Sequence, residues 1–293
     1  MEKKKIHILV QNTAQLKAVL ESRLCADRII LDIHMLTDEG DIPEVSKDRS
    51  NDVSLYCSLP YMTRNEAGLP GTDDIAHVYD RYKGFLDGFL VRNLEQAGFL
   101  IEDGIPGFSG GIYADYGLYI WNSRAADFVL SDMGISEACI PYELNLSEIR
   151  DLVRKTSYSG CSIKYAMNIY GRIPMMVSAG CLRKTSDRCS GLFGSNHTSY
   201  ISITDRKKNQ MPVMTDCRNC LNVIYNSVPT SLHKMLSEIT ALKEISSFRI
   251  DFTDEDAGLT GRVCNFYASI LEGETADVPF SDYTAGHLKR GVE

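Results

Sequence analysis

Short runs of aliphatic and β-branched residues alternate along this chain with segments whose apolar positions recur every three to four residues. Parallel strands need a crossover helix between them, so the alternation predicts βα units around a parallel sheet. The first strand covers residues 6–10. Asn12 then opens a helix with Leu16, Val19, Leu20 and Leu24 on one face and Gln15 placed for a capping box. Residues 28–33 and 53–59 read as strands, 73–86 as a helix, 88–91 as a strand and 94–101 as a short helix that stops near Gly104. Residues 112–121 read as extended chain bent at Gly117, and Asn122 starts a helix carrying Ala125, Phe128, Val129 and Met133. A strand over 138–144, a helix over 146–153 and a seventh strand over 162–170 follow. Beyond a long irregular stretch come a helix over 231–242, an eighth strand over 248–252 and a closing helix over 255–271. Eight strands with intervening helices predict an α/β fold, a TIM-like (β/α)8 barrel.

The irregular stretch, residues 178–229, is too long for an ordinary loop and lies just before the last strand. It predicts a cysteine-rich functional or metal-organised insert within one domain spanning 1–293, with no internal repeat and no linker. A chain of 293 residues can bury a full core, and 44% hydrophobic with 24% charged residues is ordinary for a soluble protein. No run of about 18 apolar residues is present, and the apolar run after MEKKKIH is too short for a signal peptide. A cytoplasmic location without membrane contact is the expectation. Nine cysteines, an odd number, then favour reduced thiols and metal ligation over a disulfide framework. The net charge of −8 weighs against autonomous nucleic-acid binding, although Arg206, Lys207 and Lys208 form a local basic patch.

Cys181, Cys189, Cys217 and Cys220 carry the strongest chemical signal. The C-x-x-C turn brings two sulfurs to about 3.5–4 Å, the spacing that a shared ion at a Zn–S distance of about 2.3 Å requires. Cys181 and Cys189 complete such a set only if the chain folds back; the alternative is two structural thiols beside a surface C-x-x-C. Spacing alone fits an all-thiolate zinc site and an iron–sulfur cluster equally. His197 is a possible substitute ligand or an idle loop histidine. Cys161 falls on a strand flank, and Cys25, Cys57, Cys139 and Cys264 fall in helix or strand patterns that predict small core residues.

Other chemistries are poorly supported. Gly107-Phe108-Ser109-Gly110-Gly111 matches a nucleophile elbow in letters, but a Gly/Pro loop precedes it and a strand follows it, the reverse of what that elbow needs. No H-e-x-x-H metalloprotease pair, P-loop or dinucleotide fingerprint occurs. Barrel active sites collect after the strand ends, which singles out Arg64, Arg92, Asn93, Asn122, Glu143, Asn145 and Arg172. Glu143 as a proton carrier and Arg172 as a fixed guanidinium are the leading pocket candidates; a structural Arg–Glu pair and helix caps at Asn122 and Asn145 are the alternatives. His287, Lys289 and Arg290 either fold over the barrel mouth or form a loose tail.

YGRIPMM (170–176), the four cysteines, SYISITDR (199–206), MPV (211–213), DCRNCLNVIYNS (216–227) and YTAGHLKRGVE (283–293) together resemble one group. LVRNLEQ (90–96), ADYGLYIWNSRAADF (114–128) and YELN (142–145) are similar to the same group. It is the collagenase-like proteases of peptidase family U-32, in the carboxy-terminal part of the long members. The resemblance implies a barrel with a cluster-binding insert. Some family members are RNA hydroxylation factors or ubiquinone hydroxylation proteins with a [4Fe–4S] cluster; others are assigned as collagen-degrading proteases. The family's peptidase signature, a glutamate followed by Cys-x4-Gly-x-Cys, is absent here. The chain is therefore expected to be a piece of a longer protein or a half-length member, working with an amino-terminal catalytic domain or a partner subunit that contacts RNA. On this reading Cys181, Cys189, Cys217 and Cys220 hold a [4Fe–4S] cluster, with zinc as the alternative. Glu143 and Arg172 serve chemistry, and Arg64, Asn145, Asp205 and Arg206 lie near the substrate, for hydroxylation of RNA or a small aromatic molecule. A peptidase lobe and a zinc-stapled, non-catalytic interaction domain are the other two expectations.

Overall fold

A computed structural model describes residues 3–37, 52–66, 69, 71–102, 104–158, 163–189, 198–289 and 291. Cys161, His197 and Arg290 lie outside the described residues. The chain begins with β1 (Lys5–Val10), α1 (Thr13–Leu20), β2 (Arg28–Asp32), the short α2 (Ile33–Thr37), β3 (Ser54–Ser58) and α3 (Asp73–Tyr82). It continues with β4 (Gly88–Val91), α4 (Leu94–Ile101), β5 (Gly111–Ala114), α5 (Ser123–Ser131), β6 (Glu137–Cys139), α6 (Leu146–Tyr158) and β7 (Lys164–Gly171). β8 (Pro174–Ser178), α7 (Leu182–Thr185), β9 (Thr198–Thr204), β10 (Gln210–Asp216), β11 (Leu221–Tyr225) and β12 (Thr230–Ser231) precede α8 (Leu236–Thr240), β13 (Ile245–Asp251) and α9 (Ala257–Leu271).

β1 to β7 and β13 are parallel, and β6 pairs with β7 to close the ring. The eight-stranded α/β barrel expected from the periodicity is present, with the insert between its seventh and eighth strands. Strand alternation divides the side chains cleanly. Ile6, Ile8, Val10, Ile29, Leu31, Leu55, Phe89, Val91, Phe248 and Ile250 face the helices and join the main core. The opposite parity fills the barrel interior: Leu9, Ile30, Tyr56, Leu90, Tyr113, Cys139 and Ala166 form a separate cluster. Polar residues of that same parity lie at both ends of the barrel. Gly88 and Gly111 make room for the Tyr56 ring, since an added Cβ would come 2.7 Å from Tyr56 Cε1 at Gly88 and 2.2 Å from its hydroxyl at Gly111.

Helix starts follow the sequence closely. Asn12, Asn93 and Asn122 each accept a hydrogen bond from the backbone N–H three residues on. Asn145 accepts from Ser147 N and Glu148 N, while Glu148 returns a bond to Asn145 N. Gln15 and Gln96 do the same for Gln11 N and Arg92 N, and their amides reach on to Glu255 O and Pro60 O respectively. LVQNTAQ (9–15) and LVRNLEQ (90–96) are thus two copies of one strand-to-helix device, a repeat that periodicity does not register.

Several expectations need correction. The predicted strand over 138–144 is only β6, and the extended run to Trp121 stops at Ala114, where Asp115 caps a 3-10 turn over Tyr116–Leu118. Gly117 in that turn lies against Arg92, whose carbonyl oxygen would be 2.6 Å from an added Cβ. The helix over 231–242 is β12, a 3-10 turn and α8. Val129 is buried as expected, but Phe128 is 48% exposed and Ala126 takes its place in the buried face of α5. Cys57, Cys139 and Cys264 are buried as read, but Cys25 is exposed. Most significantly, the insert is an antiparallel sheet of order β8-β11-β10-β9.

Candidate functional site at the barrel mouth

The antiparallel topology of the insert gathers the cysteines. β8 ends at Ser178 opposite Asn222, and β10 ends at Asp216 opposite Thr198 of β9. Cys181 and Cys189 follow β8, while Cys217 and Cys220 form the β10–β11 turn, so all four leave the same end of the sheet. Cys217 and Cys220 thiols are raised in pKa by burial first, and the charges of both Cys181 and Cys189 raise them further. Arg183 opposes the shift at Cys217 and Arg64 at Cys220. The four thiols therefore share one electrostatic neighbourhood. Among the described residues no three His, Cys, Asp or Glu side chains stand in a closed metal-ligand arrangement. The donor set suits a thiolate-bound centre, and the side chains stand near one another without converging on a single point.

The C-x-x-C turn is rigidly built. Asp216 accepts bonds from Asn219 N at 2.9 Å and Asn219 Nδ2 at 2.8 Å, and Cys220 takes a left-handed φ of 49°. Three contacts tie the turn to the barrel. Arg218 pairs with Asp74 at the start of α3. Arg64, on the loop after β3, donates to Asn219 O and Cys220 O, each at 3.2 Å. His34 Nε2 lies 3.7 Å from Asp216 Oδ2 and 3.6 Å from Asp32 Oδ1. Asp32 ends β2, so this last contact leads from the cysteine turn into the barrel mouth.

The mouth holds a chain of buried charge. Arg249, 0% exposed, donates to Asp115 Oδ1 at 2.7 Å and to both carboxylate oxygens of Asp251 at 2.6 and 2.9 Å. Arg92 reaches Asp115 Oδ2 at 3.3 Å and Asp32 Oδ2 at 3.8 Å, and Ser58 Oγ donates to Asp32 Oδ2 at 3.2 Å. Burial acts to lower the pKa of Arg92, but Tyr61, Asp32 and Asp115 outweigh it and hold the guanidinium charged. Burial raises Asp251 against the opposing pull of Arg249. Burial likewise pushes the Cys139 thiol up to about 12, which makes it inert as a nucleophile.

Aromatic rings roof this chain. The Tyr61 ring lies 3.9 Å from the Arg92 guanidinium, Tyr61 and Tyr116 hydroxyls are 3.1 Å apart, and Tyr116 packs on Tyr142 at 4.6 Å. From the insert, Met214, Val223 and Tyr225 pack with Tyr61, Val177 and Tyr200. The sheet is therefore a lid whose inner face meets the mouth. Among the described residues, the hydroxyls of Tyr200 and Tyr225 and both amide atoms of Asn168 on β7 are buried without hydrogen-bond partners. Unpartnered buried polar atoms mark places where water or a ligand completes the bonding.

The residues singled out by sequence divide among several roles. Arg92 belongs to the charge chain, and Asn93, Asn122 and Asn145 are helix caps. Arg64 clamps the cysteine turn. Arg172 is held by Asp254 at 2.8 Å and by the carbonyls of Asn226 and Ser227, fastening the insert to the end of β7. Glu143 is half-buried and has no ion pair to Arg172 among the described residues. Asp205 and Arg206 form the β9–β10 hairpin tip, where Asp205 accepts from Lys207 N and Asn209 N. That tip is the opposite end of β10 from Asp216, about 20 Å away at ~3.3 Å per residue. Ser109 precedes β5 on an exposed loop at the far end of the barrel, as the elbow argument required. The tail is docked: Leu146 N donates to Leu288 O, and Thr284 bridges Thr230.

Sequence reading missed Asp32, His34, Asp115, Asp216, Arg249 and Asp251. For Asp32, Arg249 and Asp251 the signal was a charged residue at inward parity within an apolar strand, as in FRIDF (248–252).

No family-wide sequence pattern and no curated protein matches the chain. Solved structures resemble it in fold. An uncharacterized B. cereus protein matches at TM-score 0.44 and 12% identity over 90% of this chain, which spans 65% of that protein. The C-terminal domain of a putative chitinase from Desulfitobacterium hafniense matches at 0.46 and 9%, covering 92% of this chain and 100% of that domain. A putative deoxyribose-phosphate aldolase from Toxoplasma gondii matches at 0.42 and 10%, covering 90% and 92%. At these identities the likeness concerns the α/β barrel alone.

Proposed function

We propose that the chain is a member of the U-32 collagenase-like group in which Cys181, Cys189, Cys217 and Cys220 hold a [4Fe–4S] cluster above the barrel mouth, supporting hydroxylation of RNA or of a small aromatic substrate. The observation that carries this reading is the path from the C-x-x-C turn through Asp216 and His34 to Asp32. A lid held only for stability needs no buried polar line into the mouth. The cluster, when bound, supplies one-electron transfer. Arg64 and Arg183 offset the negative charge that gathered thiolates bring. His34 Nε2 stands between the Asp32 and Asp216 carboxylates and links the cysteine turn to the mouth. Tyr61 and Tyr116 exclude water and offer aromatic faces, while Asn168, Tyr200 and Tyr225 offer unsatisfied hydrogen-bonding atoms to a planar polar substrate. Working alone or with a partner domain, the mouth is the reaction chamber on this reading.

The zinc-stapled, non-catalytic reading draws on one observation, the complete internal pairing of Arg92 and Arg249 with carboxylates. A peptidase reading finds little support at the mouth, where the Ser58 hydroxyl donates to Asp32 and burial pushes the Cys139 thiol up. The deciding experiment compares cells lacking the protein with cells restored by wild type, Arg92→Met or Cys217→Ser. RNA nucleosides and small aromatic metabolites are surveyed by mass spectrometry for species carrying one added oxygen atom. Such a species should return with wild type and stay absent with both variants. No oxygenated species in any strain, together with casein hydrolysis by the purified wild type, would overturn the proposal.

A further inference from the structure

The opposite end of the barrel carries a basic concavity in this acidic protein. A cavity of about 770 Å³ opens there, lined among the described residues by Lys3, Lys4, Lys5, Arg28, Lys164 and Lys243 with one carboxylate, Glu137. Glu137 is already bound to Arg28 at 2.8 Å, and Lys4 donates to Leu242 O and Ile245 O. The ammonium groups of Lys5, Lys164 and Lys243 make no ion pair or hydrogen bond among the described residues.

Their placement is set by the fold. Lys5 and Lys164 begin β1 and β7 at inward parity, and β13 lies between those strands. At ~4.8 Å per strand they stand about 10 Å apart, with Lys243 at the entry to β13. Arg28 is fixed by Glu137, by Ser54 Oγ at 3.2 Å and by the Tyr56 ring at 3.9 Å. Above this layer, inside the barrel, both ring nitrogens of His7, the Tyr113 hydroxyl and Ser247 Oγ are buried without hydrogen-bond partners among the described residues. His7 lies 4.0 Å from Glu137, and Tyr113 lies under Arg28. A merely solvated lysine face would not be joined to a floor of unsatisfied polar atoms.

We propose that this end of the barrel is a second site, binding a small, densely charged anion of the di- or triphosphate class. Lys5, Lys164 and Lys243 neutralise charge, Arg28 gives a fixed fork, and Thr240 and Ser246 flank the rim. A long polyanion fits less well, because the basic surface is a concave end of the barrel on a chain of net charge −8. The site is independent of the cysteines.

Titration calorimetry with inorganic pyrophosphate, tripolyphosphate and orthophosphate tests it. Tripolyphosphate should bind most tightly and orthophosphate least, with affinity falling as salt rises. Lys5→Glu with Lys164→Glu should weaken tripolyphosphate at least tenfold, and Cys217→Ser should leave it unchanged. Lys5→Gln with Lys164→Gln repeats the test without charge reversal should the first pair fail to fold. Absence of binding at about 1 mM tripolyphosphate, or affinity indifferent to both lysine pairs, overturns the proposal. A single-stranded RNA oligonucleotide that binds more tightly than tripolyphosphate through the same lysines overturns the small-anion assignment.

Discussion

Replacing Arg249 by methionine removes the centre of the mouth's charge chain while keeping most of the buried volume. Asp115 retains Arg92 at 3.3 Å, but Asp251 loses both of its guanidinium bonds. Asp251 must then either stay charged without a partner or take up a proton. Holding it protonated at pH 7, against an ordinary value of 3.8, spans about three pH units at about 1.4 kcal/mol each, or about 4 kcal/mol. Breaking a buried ion pair by removing one member costs about 3–5 kcal/mol in general, which agrees. The penalty follows pH with a defined sign. A buried carboxyl raised above its unfolded value loses stability as pH rises through that window, so the variant's deficit against wild type should shrink by about 3 kcal/mol from pH 7 to pH 5. Urea unfolding of both proteins at the two pH values measures it, with the slope checked for a shared unfolded state. Adding Asp251→Asn should restore part of the loss. A deficit below about 1 kcal/mol, or one identical at pH 7 and pH 5, would refute the buried network as a linked unit.

Two other outcomes follow from the same physics. His7 is buried, and burial, then Arg28 and Arg249, hold its pKa well below 6.5; the unfolded chain binds a proton first as pH falls, so stability is lost below about 6.5 at up to ~1.4 kcal/mol per pH unit. His7→Leu should flatten that part of the stability–pH curve, and an unchanged slope contradicts the burial argument. Arg218→Ala removes the clamp on Asp74, a charge-assisted contact worth about 1.5–3 kcal/mol. Alkylation of Cys217 and Cys220 should then speed up about tenfold or more, whereas equal rates would mean that the turn is held by other contacts.

Local rules and tertiary geometry were legible to different degrees. The barrel, its helix caps and the position of the insert could be read because hydrophobic period and Asn–x–x–Gln spacing are local properties. SYISIT and LNVIY in the insert both carry strand composition, but their antiparallel pairing is a tertiary property that local pattern does not encode. That all four cysteines leave one end of the insert sheet follows only from the pairing of β8 to β11 and β9 to β10, which no spacing reveals. Arg172 follows the end of β7, as its strand-end pattern implies, but Asp254 and two carbonyls from distant segments occupy its guanidinium. Asp115 and Arg249 are 134 residues apart, and only closure of the ring brings them together. No helix among the described residues is long and apolar enough to cross a membrane.

The most direct measurement is the metal and sulfide content of anaerobically purified protein, taken with its visible absorbance, for wild type and for Cys217→Ser with Cys220→Ser. The account predicts iron and acid-labile sulfide in equal amounts, near four of each per chain for a [4Fe–4S] centre, with a broad thiolate-to-iron band that the double variant lacks. One zinc per chain would assign the thiols to a staple, and wild-type protein without bound metal after anaerobic iron and sulfide reconstitution would contradict the cluster altogether.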